Sequence, residues 1–289
     1  VVPNKYPYFL DWMPGIEEVV VFKTDTEGRA VKAIAEADVL FCLDFNAVSR
    51  LEILSETIQG NTTARRVLID HHLSPDEGFD LMFSHPDSSS TCFLVYSIVE
   101  AMCGAGAITR RMAESLYVGM MTDTGNFAFS FLTPELFRAV AVLVEKGISI
   151  PDIHNSVYNA YTEGRARLFG YAINRKMEVI QDGTVAYMSL LENEMRRFQF
   201  QQGDSEGFVN YALTIKKVKM SAMFLAHRKF IRVSLRSRGD VDVNLFARKY
   251  FNGGGHKNAA GGKSFLSMEE TIDHYIRSVR EFAEEGHLG

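Results

Sequence analysis

Cysteine is scarce in this chain, and strong positive charge and long apolar runs are missing. Only three cysteines occur in 289 residues (Cys42, Cys92 and Cys103), and no two form a Cys-x-x-Cys pair. They read as buried apolar thiols in a reducing compartment. No apolar run approaches the roughly 18 residues that span a bilayer, and no signal peptide opens the sequence, so no membrane partner is expected and the cytoplasm is the expected location. The formal net charge of −5 argues against a protein that coats long DNA. A small anionic substrate stays compatible with it, because a metal site supplies its own local positive charge. Hydrophobic content of 46% and charged content of 23% exclude a disordered or fibrous chain, and there are no repeats or low-complexity tracts. The sequence opens on Val1-Val2-Pro3 without a methionine, as though cut inside a strand, and is expected to be part of a longer natural protein.

The length suits two domains. In the first half, short continuous apolar runs at 18–22, 39–45, 66–70 and 79–83 read as strands, with helices at 28–37 and 51–59 between them. That alternation predicts a parallel sheet covered on both faces. Helical spacing takes over from Ser90, at 91–102, 110–121, 134–146, 153–161 and 165–179. Beyond residue 182 a strand at 184–190, a hairpin at 219–224 and 230–235, a helix at 243–251, a glycine-rich loop and a terminal helix at 268–284 follow. The fold expected is α/β: a parallel-sheet domain over 1–181 with flanking helices, and a smaller α/β domain over 182–289 across a cleft.

Two consecutive strands end in residues that suit a metal. Asp44 stands near the end of the second strand, and Asp70-His71-His72 closes the third. Ligands of open parallel sheets bind outside the carboxyl ends of the strands, so these residues should meet in one crevice. Asp123 lies where an apolar helix gives way to a turn. Carboxylates with imidazole suit Mn²⁺, Mg²⁺ or Zn²⁺. Two such ions about 3.5–4 Å apart can clamp the attacking and leaving oxygens of a phosphoryl displacement.

In the second half, the backbone of Asn252-Gly253-Gly254-Gly255-His256 can approach a ligand closely, because glycine carries no Cβ. Arg236 and Arg238 alternate on one strand face with Ser234 and Arg232, and a guanidinium matches phosphate bidentately. Ser89, Ser90 and Thr91 suit the start of a helix, as caps or as phosphate contacts.

The chain resembles the DHH phosphoesterase superfamily. Asp70-His71-His72 after Val67-Leu68-Ile69 matches the motif that names it. Leu43-Asp44-Phe45 with Arg50-Leu51 is similar to its second motif, and Thr122-Asp123-Thr124-Gly125-Asn126-Phe127 to its fourth. Gly253-Gly254-Gly255-His256 resembles the signature of the DHH-associated C-terminal domain, and Gly203-Asp204-Ser205-Glu206-Gly207 another element of it. The resemblance implies that Asp44 bridges two Mn²⁺ ions, that His71 and Asp123 ligate them, that His72 orients the site or contacts phosphate, and that Asp70 fixes an imidazole. Mg²⁺ or another divalent ion could serve instead. It also implies Arg236, His256, Gly254, Gly255, Ser90 and Arg50 as substrate-binding residues. The implied reaction is attack of a metal-bound hydroxide on phosphorus.

Relatives carry a first motif of the form H-x-x-P-D-x-D. It is absent here and is expected upstream of Val1. The motifs look most similar to the nano-RNase branch, which degrades very short oligoribonucleotides and dephosphorylates adenosine bisphosphate (pAp). A short oligonucleotide or small nucleotide is the implied partner, and homodimerisation stays open. Rival readings are a phosphodiesterase for linear cyclic-dinucleotide products, a polyphosphate or pyrophosphate hydrolase, a nucleotide-binding sensor without catalysis, and an arm of a larger DNA exonuclease.

Overall fold

The computed structural model describes residues 1–51, 53–128 and 131–288. The chain divides into two compact units, Val1–Ala160 and Tyr161–Gly289.

The first unit opens with α1 (Arg29–Ala35), β1 (Val39–Leu43), α2 (Leu54–Gly60), β2 (Arg65–Asp70) and β3 (Leu81–Ser84). The strands form a parallel sheet in the order β1-β2-β3, with Leu43, Ile69 and Phe83 in register. Ile34, Leu51, Leu54 and Ile58 build a small core beside it. The expected cover on both faces is not complete. Side chains alternate along a strand, and while Cys42 of β1 is buried, Phe41 is 64% exposed, as are Val39, Leu43 and Leu81 to lesser degrees. The strand expected at 18–22 reduces to one bridge between Val2 and Val21, because the chain enters a 3-10 turn over Phe22–Thr24 that ends the pairing.

Four helices follow: α3 (Thr91–Cys103), α4 (Arg110–Asp123), α5 (Pro134–Glu145) and α6 (Ile150–Tyr158). Their starts are written in the sequence. Ser90, Thr109, Thr133 and Ser149 each accept a backbone N–H from the first turn. The cap at Ser149, with Pro151 in the first turn, starts α6 three residues before the expected position. Tyr117, Met120, Met121, Leu136 and Leu143 anchor the shared core. A Cβ at Gly119 of α4 would collide with the Cys92 Sγ of α3, so these helices pack closely at this point.

The second unit contains α7 (Glu163–Tyr171), β4 (Met177–Ile180), β5 (Val185–Leu190), α8 (Glu192–Arg197), α9 (Phe208–Tyr211), β6 (Met220–His227), β7 (Phe230–Ser237), α10 (Val243–Phe251), β8 (Gly254–His256), β9 (Ala259–Ser264) and α11 (Met268–Glu284). The sheet order is β4-β5-β6-β7-β9-β8, and only β5 and β6 run parallel. Residues 161–181, assigned from the sequence to the first domain, pack here. Leu168 and Ala172 are fully buried with Ala186, Met188 and Met223. The helix expected through residue 179 ends in a π turn at 172–176, because pairing of β4 with β5 captures 177–180 as strand. A second core, including Phe224, Phe246, Phe251, Tyr275 and Phe282, completes the unit. The glycine-rich segment is strand β8, not a loop. Cβ atoms at Gly253 and Gly255 would strike the backbone of β9, so the close approach these glycines permit is to their own sheet.

No helix among the described residues is long and apolar enough to cross a membrane.

Candidate metal centre

Parallel pairing places the ends of β1 and β2 side by side. The Asp44 N–H donates to the Ile69 carbonyl at 3.1 Å, one step beyond β1, and the chain then turns. The turn holds Asp44 at a φ of 65°, a left-handed conformation that aspartate tolerates better than most residues. The Asn46 amide ties this turn to the one after β2 by donating to the Leu73 and Ser74 carbonyls.

His71 leaves β2 buried, with its Nδ1 3.2 Å from the Ser88 carbonyl oxygen. A carbonyl only accepts, so Nδ1 carries a proton and Nε2 faces the crevice. There Nε2 lies 3.6 Å from Asp44 Oδ1 and 3.8 Å from Asp123 Oδ2, at the last residue of α4. Ligand atoms of Asp44, His71 and Asp123 all fall within 4.8 Å of one another, and those of Asp44, Asp70 and His72 form a second such group. Asp44 is common to both. Asp70 is fully buried and accepts from His72 Nδ1 at 2.7 Å and the His72 N–H at 3.0 Å.

Burial opposes ionisation of Asp70, but the His72 hydrogen bonds and both imidazoles outweigh it and hold the carboxyl below its usual range. Asp123 behaves in the opposite way. Burial, and then repulsion from Asp44, push it up to about 7, with His72 acting the other way. Its side chain keeps 35% exposure, so water screens part of both the burial effect and the repulsion. Burial, then Asp123 and Asp44, push the Cys92 thiol up to about 12, which keeps it protonated and outside the ligand set. Cys103, expected to be buried, is exposed.

The donor set fits a hard or borderline divalent ion. Metal–ligand distances of about 2.1 Å put neighbouring ligands about 3.0 Å apart and opposite ligands about 4.2 Å apart in an octahedron. The observed 3.6 and 3.8 Å lie between those limits and are longer than hydrogen bonds. Repulsion between the two carboxylates is relieved by a cation between them or by a proton on Asp123.

The other sequence candidates separate. Ser90 is fully buried and its hydroxyl accepts from Phe93 N–H, which assigns it to capping α3. Arg50 is exposed and donates to Asn46 Oδ1 at 3.2 Å. Arg238 donates to the Ile215 carbonyl. An open cavity beside β2 and β3 is lined by Arg65, Arg66 and Asp80, but Arg65 pairs with Asp80 and Arg66 donates to the Ile58 and Asn61 carbonyls, so its cations are already committed.

In the second unit Arg236 and His256 both stand opposite Ala259 across β7, β9 and β8, so they share a sheet face two strands apart. Arg236, Ser234 and Arg232 line a cavity of about 220 Å³ with Ser205, Glu206 and the bare backbone of Gly261 and Gly262. Arg232 donates to the Ser205 hydroxyl at 3.0 Å, while its Nε is buried without a hydrogen-bond partner. Burial weakens the Arg236 cation, Glu206 supports it, and Arg232 opposes it. Strand alternation signalled Arg232, though Arg236 alone was selected from the sequence. Thr91 had no such signal as a partner of Asp44. It donates to Asp44 Oδ1 at 2.8 Å across 47 residues of sequence.

Comparisons with known proteins agree with this architecture. The profile of the DHH family, N-terminal domain, matches residues 2–120, and that of the DHHA1 domain matches residues 182–285. A crystal structure described as an exopolyphosphatase-related protein from Bacteroides fragilis is 40% identical and superposes with a TM-score of 0.89, covering 97% of this chain and 82% of that one. The bifunctional oligoribonuclease and PAP phosphatase NrnA of Bacillus subtilis is 27% identical over 72% of this chain, a match that spans 64% of the relative's length. The protein of the same name from Thermus thermophilus is 25% identical over 95% of this chain and 78% of its own. The chain therefore belongs to the DHH family, with a DHH N-terminal domain followed by a DHHA1 domain.

Proposed function

We propose that this protein is a metal-dependent phosphoesterase acting on very short oligoribonucleotides or on nucleotide phosphates such as pAp. The observation that carries the reading is the pair of overlapping ligand groups at the ends of β1, β2 and α4, with Asp44 in both. Asp44, His71 and Asp123 would hold a divalent ion, Mn²⁺ being the expected metal. Such ions, when bound, supply positive charge for an in-line displacement at phosphorus and bring the pKa of water towards neutrality.

The chain's own residues orient the reaction. Asp70 stays ionised and fixes the His72 ring through Nδ1, so Nε2 is the atom that can exchange a proton with an ester oxygen. In the second unit, two guanidiniums against one Glu206 carboxylate leave the small cavity with net positive charge, suited to one phosphate group. Its volume of about 220 Å³ is below that of sites enclosing a whole small molecule, so it suits a phosphate with part of its sugar. The oligoribonuclease and PAP phosphatase activities named for the Bacillus and Thermus relatives support the substrate class. A second reading, inorganic polyphosphate, is favoured by the Bacteroides structure's description.

Incubation with Mn²⁺ and a labelled RNA dinucleotide, pAp or polyphosphate separates these readings. We expect mononucleotide from the dinucleotide, and a loss of about a hundredfold or more in Asp44→Ala, since even outer partners of metal ligands typically cost 10–100-fold. Cleavage of polyphosphate alone would reverse the substrate class, and equal rates for the Asp44→Ala variant would remove the metal reading.

A further inference from the structure

We propose that Thr91 is a positioning residue that sets the aim of the Asp44 carboxylate. The inference rests on the reading of Asp44 as a metal ligand and extends it to a residue that touches no ion itself.

Asp44 has little else to hold its side chain. It sits just past the end of β1, its side chain is 54% exposed, and its backbone is in the left-handed region. A half-exposed carboxylate samples several rotamers in water, and each would place its oxygens differently relative to His71 and Asp123. The Thr91 hydroxyl removes that freedom by donating to Oδ1 at 2.8 Å. Oδ1 is the same atom that lies 3.6 Å from His71 Nε2. One oxygen is thereby fixed towards the imidazole, and the geometry of the carboxylate as a whole follows.

The donor is itself immobilised. Thr91 is 5% exposed and is the first residue of α3. The Ser90 hydroxyl caps that helix by accepting from Phe93 N–H, and the close contact between Cys92 and Gly119 fixes α3 against α4. Since α4 carries Asp123, one helix contact sets the position of Thr91, and hence Asp44, relative to Asp123. Hydrogen bonds to ligating carboxylates are a general means of presetting a metal site.

Thr91→Val keeps the shape and removes the hydroxyl, Thr91→Ala removes both, and Thr91→Ser keeps the donor. Mn²⁺ bound to the full chain is counted by electron paramagnetic resonance of the free ion, with circular dichroism as the folding control. We expect affinity to fall about tenfold or more in Thr91→Val and Thr91→Ala, and to recover to within about threefold of wild type in Thr91→Ser. If Thr91→Val does not fold, the Ala and Ser variants carry the comparison. Wild-type affinity in a folded Val or Ala variant would overturn the assignment, as would a folded Ser variant as weak as Ala. Failure of the wild-type chain to bind Mn²⁺ would overturn the metal reading itself, a result distinguishable from either of those.

Discussion

Asp123 determines how the site responds to pH. In the unfolded chain its carboxyl titrates near 3.8, and in the folded protein at about 7, because burial and Asp44 disfavour its charge. Between those values the folded state keeps a proton that the unfolded chain has released. Its contribution to stability is fully present below about 4 and is lost as pH rises through about 7. The metal-free protein is therefore expected to lose thermal stability across that window, and Asp123→Asn should flatten this part of the profile. Mn²⁺ competes for the same carboxylate, so its affinity should rise with pH over the same range. Melting curves at a series of pH values, with and without Mn²⁺, measure both. A profile as steep in the Asn variant as in wild type would show that another group is responsible.

The elements around the site are set by contacts of different range, and this decides what the sequence reveals. Helix starts at Ser90, Thr109 and Thr133 are legible because a cap and its N–H lie three residues apart. The meeting of Asp44 with His71 follows from the parallel pairing of two apolar strands, which their composition indicates. By contrast, β4 and β8 are strands because the strands that follow them, β5 and β9, pair back across short turns, and no periodicity over four or three residues carries that information. The Thr91–Asp44 bond is equally invisible, and so is the pairing of Gly119 with Cys92. Gly119→Ala should overpack the α3–α4 contact, at about 1–3 kcal/mol, and weaken Mn²⁺ binding by shifting Asp123 relative to Asp44. Adding Cys92→Ala should recover most of both, since it removes the Sγ and leaves only the contact with the residue-92 Cβ at 2.8 Å. If the double variant binds and melts like the single one, the contact does not set the site.

At the scale of the molecule, two boundaries differ: the DHHA1 match begins at residue 182, where the sequence pattern changes, whereas the compact units divide between Ala160 and Tyr161. The helix read from the sequence over 165–179 is drawn into the second unit by burial of Leu168 and Ala172 against β5 and β6 and by the pairing of β4 with β5. Each unit has cores of its own, around Tyr117 and Leu136 in the first and around Phe224 and Phe282 in the second. The candidate ion ligands Asp44, His71 and Asp123 all belong to the first. An ion that binds only the folded first unit stabilises that unit by an amount set by its concentration over its dissociation constant, about 2.7 kcal/mol at a hundredfold excess. Mn²⁺ should therefore slow hydrogen exchange in β2, α3 and α4 by up to about a hundredfold, and leave β6 and β7 near their metal-free rates. Equal protection in both would mean that the units share one unfolding step, and their separate cores would then not correspond to separate stabilities. Protection confined to β6 and β7 would place the ion in the wrong half of the chain and remove Asp44 from consideration as its ligand.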